Sequence, residues 1–189
     1  EHAAERGVEV PDEPVIFLKP ATAVIGPGAP IVIPPEAREV HHEAELALVV
    51  GTVSRRVAAE DAAAHILGYT AATDVSARDL QKKDGQWTRA KGFDTFCPLG
   101  PAIETEVDPI GLRITCSVND ELRQDASTDD MVFGVAEIFA FVTRIMTLLP
   151  GDVVLTGTPA GVGPIRPGDR VEVDIERIGK LVNPVVAGS

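Results

Sequence analysis

The chain has 189 residues, 44% of them hydrophobic and 24% charged, which is the size of one domain with a sizeable core. Its 29 acidic and 17 basic side chains leave a formal charge of −12, with no basic run to hold a nucleic-acid backbone. No apolar stretch is long enough to cross a bilayer and no signal peptide is visible, which argues against a membrane partner.

Aromatic residues make up only 4%, so Val, Ile, Leu and Ala must fill the interior. Cys97 and Cys116 form neither a CxxC redox pair nor a zinc-ligand cluster, and they read as buried thiols of a cytoplasmic protein. The first residue is Glu1 rather than Met, and Glu1–Arg6 reads like the middle of something. The expectation is one catalytic domain over residues 1–189 that lacks its native N-terminal segment.

In chain order, Val15–Lys19 is an apolar run stopped by Pro20, and Ile31–Ile33 is another, stopped by Pro34 and Pro35. Glu43–Val53 reads as a strand, first alternating and then continuously apolar. Ala58–Leu67 is Ala-rich and reads as a helix ended by Gly68. Tyr69–Thr73 is a strand running into Asp74, and the polar Ser76, Arg78, Asp79 and Gln81 open a further helix. Leu112–Val118 and Glu121–Gln124 flank Asn119-Asp120, a two-residue hairpin turn. Val135, Ile138, Phe139, Val142, Ile145, Met146 and Leu149 recur at helical spacing, so Gly134–Leu149 reads as a helix ended by Pro150-Gly151. Asp152–Thr156, Arg170–Ile175 and Lys180–Val186 read as strands. The class is mainly β with a few helices, without strict β-α-β alternation.

The chemistry starts at His41-His42-Glu43-Ala44-Glu45-Leu46. Residues two apart on a strand share a face, so Glu43 and Glu45 set two carboxylates side by side. Like charges that close repel unless protons or a cation lie between them. Oxygen ligands without Cys suit Mg²⁺, Mn²⁺ or Ca²⁺. An isolated pair of this kind also fits a solvated edge strand. Asp74, at a strand end, adds a third carboxylate, although an aspartate there could equally cap the next helix. Gly157-Thr158-Pro159-Ala160-Gly161-Val162-Gly163 leaves a strand as a Gly-rich loop that could approach a small anion, or simply turn. Lys91, in Lys91-Gly92 after Trp87, could be surface or site.

Taken in order, several segments resemble the fumarylacetoacetate hydrolase family in its small, single-domain branch. They are Phe17-Leu18-Lys19-Pro20, His42-Glu43-Ala44-Glu45-Leu46, the run from Asp74 to Gln81, Trp87 with Lys91-Gly92, Pro150-Gly151-Asp152, and the run from Thr156 to Gly163. The resemblance implies a mixed β-sandwich roll, usually a homodimer. It implies Mg²⁺ or Mn²⁺ on the carboxylates of Glu43, Glu45 and Asp74, and substrate contacts from Arg78, Gln81, Lys91 and Thr158. It also implies that His2 and Glu5, three apart on a lid helix, activate water.

The substrates implied are small 2-oxo acids, bound to the metal through the C1 carboxylate and C2 oxygen and reacting through an enolate, with Lys91 at the developing oxyanion. The favoured activity is C–C bond cleavage, either hydrolysis of an acylpyruvate or decarboxylation of oxaloacetate. The alternative within the family is isomerisation of 2-hydroxyhepta-2,4-diene-1,7-dioate. A non-catalytic metal-binding β-domain is the alternative of another class, and Lys91 with the Thr158 loop argues against it.

Overall fold

The computed structural model describes residues 11–189. Short strands dominate it. After a 3-10 turn at Ala21–Ala23 come β1 (Val24–Ile25), β2 (Ile31–Ile33), β3 (Val40–His42) and β4 (Ala44–Val50). Next are β5 (Ile66–Thr73), β6 (Ser76–Ala77), helix α1 (Arg78–Asp84), helix α2 (Thr88–Lys91) and β7 (Cys97–Glu104). The hairpin β8 (Arg113–Val118) and β9 (Glu121–Ser127) precedes helix α3 (Val135–Ile145). The chain ends on β10 (Val153–Leu155), β11 (Gly163–Pro164), β12 (Arg170–Ile175) and β13 (Gly179–Ala187).

One sheet has the order β1-β7-β5-β4-β10 and a second the order β2-β13-β12-β8-β9, while β11-β3-β6 forms a small third sheet. The pairs β1–β7 and β2–β13 are parallel and the other pairs are antiparallel. The two larger sheets pack face to face, β4 against β8 and β12 against β5. Leu46, Leu48, Val173, Ile175 and Leu181 lie between them, at most 1% exposed. Every residue of β4 is buried, so the strand that carries Glu45 near its start runs directly into the core.

Several sequence expectations shift here. The strand expected over Glu43–Val53 is shorter at both ends: Glu43 stands in the break after β3, and β4 runs only from Ala44 to Val50. The Ala-rich segment forms a 3-10 helix, Ala59–His65, rather than an α-helix. Only Ala62 of it is buried, so packing does not impose the α period, and Ile66 already pairs with Val50. Gly68 lies inside β5, where a Cβ would stand 2.5 Å from the Glu104 oxygen, so it permits a close strand approach instead of ending a helix. The helix expected over Gly134–Leu149 ends at Ile145, because the Leu148 backbone exchanges two hydrogen bonds of 2.9 Å with Ser54. Val15–Lys19 forms no strand, and Leu18 is 69% exposed. The hairpin turn is as expected: Asn119 and Asp120 both have positive φ, 53° and 66°, matching the twist of the flanking strands.

Candidate metal centre

Register brings the carboxylates together. Ala44 pairs with Thr73 across β4 and β5, and the next residue along, Asp74, donates its N–H to the Glu43 carbonyl at 2.8 Å. Asp74 is therefore not a helix cap, since α1 begins after Ala77. Glu43, Glu45 and Asp74 are each at most 4% exposed, and each offers an oxygen within 4.8 Å of the others.

Three cations surround this cluster. Lys91 Nζ donates to Glu43 Oε2 at 2.8 Å and to Asp74 Oδ2 at 2.5 Å. Lys19 Nζ donates to Asp74 Oδ1 at 2.6 Å and to the Lys91 carbonyl at 2.5 Å. Arg78 forms an ion pair with Glu43 and donates to Gln81 Oε1 at 2.9 Å, both side chains lying on one face of α1. Lys91 also sits 4.8 Å from the centre of the Phe17 ring, a cation–π contact that closes its outer side.

These neighbours set the charges. Burial alone would raise the Glu43 carboxyl, but Lys91 and Arg78 outweigh it and lower its pKa to about 2. Burial depresses the Lys91 ammonium, yet Asp74 and Glu43 more than restore it, so its pKa stands above the ordinary lysine value. Glu45 differs: burial and then the charges of Asp74 and Glu43 hold its pKa well above the ordinary carboxyl range. Among the described residues no cation touches it, and its carboxylate accepts a hydrogen bond from the Gly157 N–H, at 2.7 Å. A buried carboxyl crowded by two others, with hard oxygen donors throughout, is the environment a divalent cation relieves.

The loop after β10 runs beside β4. Thr156 donates both its N–H and its hydroxyl to the Leu46 carbonyl, and the Thr158 hydroxyl donates to the Ala44 carbonyl at 2.9 Å. A cavity of about 810 Å³ opens beside Glu45 and Thr158, lined also by Phe17, Lys19, Cys97 and Phe133.

The structure thus gathers Glu43, Glu45, Asp74, Lys91, Arg78 and Gln81 around one point, with Thr158 beside Glu45's neighbour Ala44. His2 and Glu5 lie outside the described residues. Two residues join the site that side-chain chemistry alone did not single out. Lys19 had a signal, its place in Phe17-Leu18-Lys19-Pro20. Gln124, which joins through the Ala44 N–H and the Thr158 hydroxyl, had none, standing between the charged Arg123 and Asp125.

The model of the fumarylacetoacetate (FAA) hydrolase C-terminal domain matches residues 1–186. The chain belongs to the fumarylacetoacetate hydrolase family. It is 48% identical over 198 residues to the bovine mitochondrial oxaloacetate tautomerase FAHD2B, a match covering 98% of this chain and 63% of that one. The crystal structure of 2-hydroxyhepta-2,4-diene-1,7-dioate isomerase from Mycobacterium marinum superposes with a TM-score of 0.94 at 56% identity, covering 95% of this chain and 71% of that one. Maleylpyruvate hydrolase from Sphingobium sp. SYK-6, solved with manganese (II) and pyruvate, gives 0.85 at 42% identity over 92% of this chain and 64% of that one. The family therefore includes hydrolases, isomerases and tautomerases of small molecules.

Proposed function

We propose that residues 1–189 act as a single catalytic domain, a homodimer in solution, that cleaves a C–C bond in a small 2-oxo acid with the help of Mg²⁺ or Mn²⁺. The observation that carries the reading is the buried cluster of Glu43, Glu45 and Asp74, in which no cation among the described residues forms an ion pair with Glu45. Those side chains would hold the ion. When bound, it would supply a Lewis acid for the substrate's carboxylate and 2-oxo oxygens and leave the pocket with surplus positive charge for an anion.

The chain's own groups do the rest. Lys91, held protonated by Asp74 and Glu43, offers its ammonium to an oxygen that becomes negative as the substrate enolises. Arg78 and Gln81, fixed to each other, orient the remainder of the substrate. The Thr158 loop walls the cavity where the carboxylate would lie. For an acylpyruvate, His2 oriented by Glu5 takes a proton from water as its oxygen adds to the C4 carbonyl. The C3–C4 bond then breaks, its electron pair passes to the pyruvate enolate, and C3 is protonated, giving pyruvate and a carboxylic acid. Decarboxylation of oxaloacetate uses the same enolate without water.

A second reading, tautomerisation or isomerisation of an unsaturated 2-oxo diacid, is favoured by the names of the bovine relative and the mycobacterial structure. Product analysis by NMR separates the two. Cleavage releases pyruvate with carboxylic acid or CO₂, and isomerisation keeps the carbon skeleton. In parallel, calorimetry should detect one Mn²⁺ site that Glu45→Gln weakens strongly. Undiminished Mn²⁺ binding in that variant would overturn the metal assignment.

A further inference from the structure

Gln124 is 1% exposed on β9, and its amide is fully used. Oε1 accepts from the Ala44 N–H at 3.0 Å and from His42 Nδ1 at 3.1 Å. Nε2 donates to Thr158 Oγ1 at 2.8 Å and to the Pro159 carbonyl at 3.0 Å. Two backbone groups decide which end is which: the Ala44 N–H can only donate and the Pro159 carbonyl can only accept. Both acceptor sites and both hydrogens are therefore committed, and His42 must carry its proton on Nδ1. Because Thr158 also donates to the Ala44 carbonyl, Gln124, Ala44 and Thr158 close a ring around the peptide between Glu43 and Glu45.

Two backbone features show that this placement is built. The β8–β9 pairing skips a residue, Cys116 facing Gln124 and Ser117 facing Leu122, so Arg123 is a bulge that re-aims the residues after it. Leu122 and Gln124, two apart, consequently part company: the leucine is 53% exposed and the glutamine is buried. The Thr158 loop then crosses the bulge at Gly161, where a Cβ would lie 2.0 Å from the Arg123 oxygen. A strand that turns its amide inward and its leucine outward, under a loop that fits only glycine, has the geometry of a support.

We propose that Gln124 is a positioning residue that locks the ligand-bearing strand and the Thr158 loop to each other, so that metal affinity and substrate affinity are set through one amide. This rests on the reading of Glu43, Glu45 and Asp74 as metal ligands. Gln124 touches neither metal nor substrate. It fixes the Ala44 peptide, and thereby the separation of the two glutamates, from one side, and the loop from the other. Supports of this kind are typically worth about 10–100-fold in metal affinity or activity.

The test uses the whole protein with three measurements: Mn²⁺ affinity from the EPR signal of the free ion, KM and kcat with oxaloacetate and an acylpyruvate, and thermal unfolding. Gln124→Met fills the same space but leaves the Ala44 N–H unpaired and frees the loop, and it should weaken Mn²⁺ about 10–100-fold while raising KM. Gln124→Glu keeps the acceptor for Ala44 but sets an oxygen against the Pro159 carbonyl. It should retain most of the Mn²⁺ affinity and still raise KM, and it decides the matter if the methionine variant fails to fold. Leu122→Gln, on the exposed face beside the bulge, should change neither quantity. A variant at Gln124 that melts earlier but keeps Mn²⁺ affinity and KM would overturn the inference and make the residue merely structural. Absence of Mn²⁺ binding in the unaltered protein would instead sink the metal reading, and this inference with it.

Discussion

Lys91 is 2% exposed and contacts two carboxylates, so two roles compete for it: neutralising the acidic cluster, or serving the reaction. They predict opposite outcomes. If Lys91 is a donor to a developing oxyanion, Lys91→Met should lower kcat about 10²–10³-fold, the usual cost of one such donor. Mn²⁺ affinity should hold or tighten, because an ammonium that competes for Glu43 and Asp74 has gone. Parallel loss of Mn²⁺ affinity and turnover would make Lys91 structural. The cysteines supply a control on the interior. Burial pushes the Cys116 thiol up to about 12 and the Cys97 thiol to about 11. Neither should react with a thiol reagent at pH 8 while the protein is folded, and both should label in guanidinium. Labelling of Cys116 in the native state would show that the seam beneath β8 opens.

Between elements, the site depends on crossings that local sequence does not display. Ile31–Ile33 and Arg170–Ile175 were legible to the residue, and the turn at Asn119-Asp120 was fixed by its chemistry. The paired carboxylates were legible because spacing of two survives the break at Glu43, which the β4–β5 register then aligns with Asp74. Elements decided by partners far along the chain were less so. Ala59–His65 and the end of α3 answer to pairing with Val50 and Ser54, and no periodicity within those segments records it. Gln124 was invisible for the same reason, since a one-residue bulge reverses the face of everything after it. Gly161 is where this dependence can be probed. With φ at 93° and the Arg123 oxygen 2.0 Å from any added Cβ, Gly161→Ala should cost at least about 1–3 kcal/mol in urea melts. KM should rise in the same variant, because the loop it displaces carries Thr158. A neutral result would mean that the loop does not need its close approach to β9.

At the scale of the molecule, the carboxylates tie separate parts of the fold to one point. Glu43 and Glu45 flank the start of β4, Asp74 follows the end of β5, Lys91 closes α2, and Arg78 opens α1. No helix among the described residues is long and apolar enough to cross a membrane. An ion that binds only the native arrangement stabilises it by mass action, about 2.7 kcal/mol when its concentration is 100 times Kd. For a domain of this size each kcal/mol moves Tm by roughly 2–4 °C, so saturating Mn²⁺ should raise Tm by about 5–10 °C and EDTA should reverse it. The shift should grow logarithmically with Mn²⁺ concentration, and Glu45→Gln should flatten it. That variant should itself melt no lower than the unaltered protein without metal, since it replaces a buried carboxyl crowded by Asp74 and Glu43 with a neutral amide of the same shape. A Tm that stays level across the Mn²⁺ titration would mean that the folded protein has no ion site to fill, with Glu43 and Asp74 neutralised by Lys19, Lys91 and Arg78 and Glu45 held only through the Gly157 N–H.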